Sequence, residues 1–262
     1  MEASFEMSDL GLLQYYLGIE VRQGSEGIKI KKAGYAVKLL MQAGLTECNS
    51  TKFPMEPGLK LSKKDEGPDA DATEYRRLVG SLRYLTHTRP DLSYSVGYVS
   101  RFMQAPKQSH MQAVKQILRY VKGTTCFGLH YERNMSKTLL GISDSSHMAD
   151  MDDGKSTTGL IFFFNNAPIS WNSQKRNTVA LSSFMKVDNQ SAIALMKNPV
   201  FHGRSKHINT RYHFIRECIE REEIKVEHIS GKLQKVDILT KALPRQQFLE
   251  MRELVGIKIV QD

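Results

Sequence analysis

Polar and apolar positions alternate with a period of two at the start of the chain, in "LQYYLGIEVRQ" and "GIKIKK". This predicts a β-hairpin across the turn from Gly24 to Gly27. The period then lengthens. "YAVKLLMQAGL" reads as a short helix stopped by Gly44, and "EPGLKLSKKDEGPDADA" as a polar loop rich in Pro and Gly. Asp71 and Glu74 have capping-box spacing at the head of a helix that carries Leu78, Leu82 and Leu85 on one face and ends near Pro90. A further helix covers Leu92 to Met103. The next, His110 to Lys122, puts Met111, Val114, Leu118 and Val121 on one side and Lys115, Arg119 and Lys122 on the other. A face of one sign is either an ordinary solvated surface or a phosphate-binding stripe, and the pattern leaves both open.

Near Met135 the pattern changes. "TLLGISD" is a near-continuous apolar run typical of a central strand, with "TTGLIFFFN" and "APISWNSQ" as hairpin partners. "KVDNQSAIALMKN" reads as a short strand running into a helix, "TRYHFIRECIEREE" as a helix and "IKVEHIS" as a strand, and "VDILTKALP" opens a final helical stretch. Strands first and then strands alternating with helices predict an α+β or α/β arrangement, a helical segment followed by a mixed sheet with flanking helices. No internal repeat is present.

Composition narrows the class. With 262 residues and 40% hydrophobic content the chain has material for one large domain or two modest ones. A formal charge of +9 favours a polyanionic partner, nucleic acid above all, over an acidic surface. The cysteines Cys48, Cys126 and Cys218 are far apart and without C-x-x-C spacing, which argues against a disulfide framework and for a reducing compartment. Neither a signal peptide nor a membrane span is legible, so the expected location is intracellular, cytoplasmic or nuclear. The opening residues read as the interior of a longer chain.

Three carboxylates fall at element ends: Asp144 after the first apolar strand, Asp188 before "NQSAIAL" and Asp237 at the head of the last helical stretch. Gathered at one rim of a sheet, they would raise one another's pKa, and a divalent cation is the usual resolution. Taken singly, each reads equally as a helix cap or a solvated residue. Asp150, Asp152 and Asp153 read as a polar turn. A second basic concentration, "HGRSKHINTRYHFIR", brings Arg204, Lys206, Arg211 and Arg216 together with His202, His207 and His213, a composition suited to salt-dependent phosphate contact.

The chain resembles, from end to end, the carboxy-terminal part of the Pol polyprotein of copia-type LTR retrotransposons. The resemblance is carried by "MSDLGLLQYYLGIEV", "YRRLVGSLRYLTHTRPDLSYSVGYVSRFM", "QILRYVKGT", "LLGISDSSHMADMDDGKSTTGLIFF", "ISWNSQKRNTVALSS", "DNQSAIALMKNPVFHGRSKHINTRYHFIRE" and "DILTKAL". It implies that residues 1–135 correspond to the thumb and connection end of a reverse transcriptase and residues 137–262 to a ribonuclease H domain. The polymerase Y-x-D-D motif is nowhere in the sequence, which excludes DNA synthesis. The resemblance further implies two Mg²⁺ ions held by four acids, an RNA/DNA hybrid as substrate and the remainder of the Pol polyprotein as covalent partner. Asp144, Asp188 and Asp237 match three of those acids as catalytic residues and metal ligands. The fourth, a Glu in a helix directly after "VALSS", is missing, because the chain passes from Ser183 to Val187 straight into the next strand. Ser146 and His147 stand where the family usually has an acid and a Trp.

The gap has a geometric consequence. A parallel crossover takes ten or more residues, whereas five residues reach at most roughly 17 Å and three strand spacings already take about 14 Å. The expected result is a frayed or displaced third strand, or a sheet whose two parts do not close properly. A gene-model error, a splicing error or decay of an old insertion would each leave such a gap. Three functions are compatible with the residues and the resemblance: a non-catalytic relic that binds duplex nucleic acid through its basic faces, an active Mg²⁺-dependent hybrid nuclease, and a host-recruited interaction module.

Overall fold

The computed structural model describes residues 11–133, 138–146, 150–176 and 234–260. The chain divides into two units, residues 1–177 with 235–262 and residues 178–234. The expected elements around Asp188, in "TRYHFIRECIEREE" and in "IKVEHIS" lie outside the described residues. The first unit is a mixed α+β arrangement with antiparallel sheets.

The hairpin forms where the alternation places it. β1 (Tyr15–Tyr16), β2 (Ile19–Gly24) and β3 (Gly27–Lys31) pair antiparallel, with Gly24 opposite Gly27. Gly27 has φ 142°, and a Cβ there would lie 2.0 Å from the carbonyl oxygen of Tyr131, so only glycine allows the next strand to approach. α1 spans Ala33–Gln42. α2 spans Ala72–Leu85, and its start is fixed by the Asp71 carboxylate, which accepts from the backbone N–H groups of Thr73 and Glu74 at 2.8 and 3.0 Å. A single-turn 3-10 helix (Pro90–Leu92), α3 (Ser93–Val99) and another 3-10 turn (Ser100–Phe102) stand where one helix was expected. α4 spans Gln108–Lys122. The apolar faces of α2 (Leu78, Val79, Leu82, Leu85) and α4 (Val114, Ile117, Leu118, Val121) are buried and form the helical core. Each such side chain contributes roughly 1.5–3 kcal/mol relative to exposure.

Two strands have no counterpart in the sequence pattern. β4 (Phe127–Glu132) extends the hairpin sheet against β3, and β8 (Ile257–Ile259) pairs with β4 on its other side, giving the order β1-β2-β3-β4-β8. The chain returns from a distant point in sequence to complete the first sheet. The second sheet, β5 (Leu139–Ser145), β6 (Thr157–Phe164) and β7 (Ala167–Lys175), is antiparallel in sequence order. β7 pairs with β6 from Ala167 to Lys175, with one irregularity at Phe162 and Phe163 beside Pro168, which has no N–H to give. The third strand of this sheet, where fraying was expected, is paired along its length. The final stretch is a 3-10 turn (Lys235–Leu239), then α5 (Arg245–Leu254), then β8, rather than one helical run.

Ion pairs tie the layers. Arg89 and Asp91 are fully buried and paired twice, Nε to Oδ1 at 2.9 Å and Nη2 to Oδ2 at 2.7 Å. Arg89 also donates to the carbonyl and hydroxyl oxygens of Thr124, both at 2.8 Å, and the Tyr120 hydroxyl donates to Asp91 at 2.6 Å. Burial opposes both charges, but the Arg89 guanidinium and the Tyr120 hydroxyl hold Asp91 below the usual carboxylate range. The acids after β5 form a turn, as expected, but they also bind segments far away in sequence. Asp150 is paired with Arg101 at 2.8 Å and Lys175 at 2.7 Å, and Asp152 accepts from the Ser62 hydroxyl at 2.5 Å. At the head of α4, His110 stacks on Phe102 with ring centroids 4.0 Å apart. Its Nδ1 accepts from the Lys107 N–H at 3.0 Å while Nε2 faces the Ser62 carbonyl at 3.1 Å, so the neutral Nε2–H tautomer satisfies both.

Two outcomes are expected. Asp91→Ala strands a buried guanidinium and costs about 3–5 kcal/mol of unfolding free energy, read from the shift of a urea midpoint. Burial depresses the folded-state pKa of His110, so the unfolded chain takes up the proton first. The stability from His110 is complete above the unfolded value near 6.5 and is lost as pH falls through the folded one. Melting curves from pH 8 to 5 should therefore show a smaller acid-side loss in His110→Asn than in the unmodified chain.

Candidate functional site

The sheet of β5, β6 and β7 has one face toward the 3-10 turn Lys235–Leu239, and the acids meet there. In the register of the sheet, Asp144 on β5 lies opposite Gly159 on β6, which lies opposite Ser173 on β7. The missing side chain of Gly159 decides the geometry. A Cβ at this position would fall 2.7 Å from Val236 Cγ1, 2.8 Å from Leu239 Cβ and 2.9 Å from Thr240 Cγ2. Without it, the turn seats directly on the strands. The Ser173 hydroxyl fastens the turn from the other side by donating to the Leu239 carbonyl at 2.6 Å.

This seating brings Asp237 to Asp144. The Thr240 hydroxyl donates to Asp144 Oδ2 at 2.8 Å, and the Lys241 ammonium lies 2.9 Å from Asp237 Oδ2. Asp237 is buried, and its pKa is raised by that burial first and by the neighbouring Asp144 carboxylate, against the opposing pull of Lys241. Two carboxylates within hydrogen-bonding reach of each other favour the neutral form of one of them. Lys235, beside them in the turn, has its ammonium 4.9 Å from the centre of the Phe163 ring, and burial lowers its pKa.

Of the expected acids, Asp144 and Asp237 stand together, and Asp188 lies outside the described residues. Among the described residues no group of three His, Cys, Asp or Glu gathers into a metal cage. The pair nevertheless suits Mg²⁺, which takes hard oxygen donors and is commonly held by one or two carboxylates with substrate phosphates completing its shell. Gly159, Thr240 and Lys241 have structural parts in the site that pattern reading missed. A glycine inside the apolar run "TTGLIFFF" was the one available signal for a close backbone approach.

The basic stripe of α4 is arranged differently from a free phosphate track. Arg119 Nε donates to the Asn49 carbonyl at 2.7 Å, and the Lys122 ammonium donates to the Thr46 carbonyl. Both side chains pin the segment after α1 to α4. Lys115 is exposed. Arg204, Lys206 and Arg211 lie outside the described residues.

Comparison with known proteins places this arrangement in a lineage. The family model described as reverse transcriptase (RNA-dependent DNA polymerase) matches residues 1–57. The chain is 35% identical to the retrovirus-related Pol polyprotein from transposon RE1 of Arabidopsis thaliana, in an alignment covering 97% of this chain and 20% of that protein. It is also 35% identical to the retrovirus-related Pol polyprotein from transposon TNT 1-94 of Nicotiana tabacum, over 98% of this chain and 22% of the relative. An uncharacterized mitochondrial protein of Arabidopsis thaliana is 35% identical over 70% of this chain and 76% of its own length. The chain thus spans about a fifth of the length of the Pol polyproteins it matches. No solved structure matches it. Among the described residues no helix is long and apolar enough to cross a membrane. With matches of this identity along nearly its whole length, the chain corresponds to a segment of retrotransposon Pol polyproteins.

Proposed function

We propose that residues 137–262 descend from a two-metal ribonuclease H, that the acid site has lost its cleavage activity, and that the remaining function is binding of RNA/DNA hybrid or other duplex nucleic acid. One observation carries the reading. The sequence passes from "VALSS" to "VDNQSA" without the Glu-bearing helix that the resemblance calls for. The alignment with the RE1 polyprotein supports it, since it runs over 286 positions while this chain has 262 residues. Thumb and connection ancestry for residues 1–135 is part of the same proposal.

In this reading Asp144 and Asp237 are what is left of the ligand set, with Asp188 as their expected companion. Ions bound there would supply a polarised phosphoryl oxygen and an activated water. The chain's own residues do less. Thr240 orients Asp144, Lys241 neutralises Asp237 in the absence of an ion, and Gly159 keeps the turn against the sheet. A missing carboxylate leaves the ion pair without one of its bridges, and the loss of such a unit member typically costs orders of magnitude in rate. The juxtaposition of Asp144 and Asp237 favours the second reading, an active Mg²⁺-dependent hybrid nuclease.

A labelled RNA/DNA hybrid incubated with the chain in Mg²⁺ or Mn²⁺ should show no cleavage above that of Asp144→Asn, while binding to the hybrid weakens as salt rises. Cleavage lost in Asp144→Asn would overturn the proposal and establish the nuclease. A further outcome concerns the acid pair alone. Because the folded pKa of Asp237 is raised, its contribution to stability is complete below the unfolded value of 3.8 and is lost as pH rises through the folded one. At neutral pH and without metal, Asp237→Asn should therefore melt above the unmodified chain, and Mg²⁺ should stabilise the unmodified chain but not this variant.

A further inference from the structure

The outer edge of β7 faces α3 and the end of α2 across a groove of about 330 Å³. The Trp171 indole N–H donates to the Thr86 carbonyl at 3.0 Å and closes one end. Gly97 on α3 comes so near the edge that a Cβ there would stand 3.7 Å from the Ser173 carbonyl. Its lining is unusual in one respect: none of the described residues that line it is Asp or Glu. Polar side chains fill most of the wall, among them Ser93, Ser100, Asn172 and Gln174. Three basic residues border it. Lys175 is already held by Asp150 at 2.7 Å and Asp153 at 2.8 Å, so its charge is spent inside the molecule. Arg83 and His87, one turn apart at the end of α2, are exposed, and no acid pairs with either among the described residues.

The groove also has a position relative to the acids. Ser173 lines it and shares a register row with Gly159 and Asp144, two strand spacings across the sheet. That is about 10 Å. The same Ser173 holds the Leu239 carbonyl, one residue before the Thr240 that orients Asp144. A cleft with an exposed guanidinium, an imidazole, many neutral donors and no carboxylate among its described residues suits a chain of phosphates and sugar hydroxyls, whereas an acid-lined cleft would repel it.

We infer that this groove carries the sugar–phosphate backbone of a bound nucleic-acid strand past the acid pair, with Arg83 and His87 as its phosphate contacts. The inference rests on the nucleic-acid reading above and gives it a surface, in place of the α4 stripe, where Arg119 and Lys122 are engaged with backbone carbonyls.

The test uses the full chain and a short RNA/DNA hybrid, with Kd measured by fluorescence anisotropy at several salt concentrations. The double variant Arg83→Gln/His87→Gln should bind roughly tenfold more weakly, and its slope of log Kd against log salt should fall by about 0.9 for each phosphate contact removed. Asn172→Glu, which puts a carboxylate on the exposed groove wall, should weaken binding independently, while Lys38→Gln on α1, outside the groove, should leave it unchanged. Melting temperatures of all variants verify the fold, since each changed side chain is exposed. Salt-dependent binding that is unaltered in both groove variants overturns the groove and leaves the nucleic-acid reading in place. Absence of salt-dependent hybrid binding by the unmodified chain overturns both.

Discussion

Arg89 and Asp91 form a charge pair from which water is excluded, and the arrangement of the chain depends on satisfying it. A guanidinium in an apolar interior is tolerated only when its donors are matched. Here Asp91 takes two of them, and the Thr124 carbonyl and hydroxyl take two more. Tyr120 completes the carboxylate and is itself approached by Arg252 at 3.3 Å. The exit of α2, the end of α4 and the face of α5 are thus drawn to one point. The chain leaves α4 at Gly123 and Thr124 in the direction that makes β4, and α5 is placed so that β8 lands beside it.

The second constraint is steric. The segment from Lys235 to Val260 lies on both sheets of its unit: its 3-10 turn sits on β5 and β6, and its strand joins β4. Gly159 allows the first contact, and the exchange of main-chain hydrogen bonds with Phe127, Gly128 and Leu129 secures the second. The candidate site is a product of this seating. Asp237 approaches Asp144 because the turn is pressed against the strand that pairs with Asp144, and the electrostatic cost is partly offset by Thr240 and Lys241. An acid pair held in this way is consistent with the proposed remnant of a metal-binding rim, since the scaffold keeps the donors together without the ion.

Basic side chains in this molecule divide by use. Arg101, Lys175, Arg119 and Lys122 bind carboxylates or carbonyls of the chain itself and hold loops to the elements beside them. Arg83 and His87 have no acid partner among the described residues, and they stand at a groove whose described lining carries no Asp or Glu. Net charge signals the class of partner, but only the internal pairing shows which cations remain for it.

The sequence by itself determined the local elements whose signals are local. Alternation gave β2 and β3, the Asp71 cap fixed the start of α2, and the leucine spacing of α2 and α4 identified the faces that form the helical core. It also singled out Asp144 and Asp237, and its resemblance to Pol polyproteins agrees with the family found by comparison. The tertiary structure decided the rest. β4 and β8 carry Gly128 and Lys258 among their apolar residues, so neither has a period that marks a strand, and they form because distant segments supply hydrogen-bond partners, β3 and β8 for β4 and β4 for β8. The helix face of Lys115, Arg119 and Lys122 is an amphipathic pattern whatever it touches, and only packing shows that two of its cations are turned inward to carbonyls. Gly159 reads as a weak point in a strand until the turn that needs its absent side chain arrives from far along the sequence. Period and propensity act over a few residues, whereas buried charge, close approach and strand pairing depend on which distant segments meet.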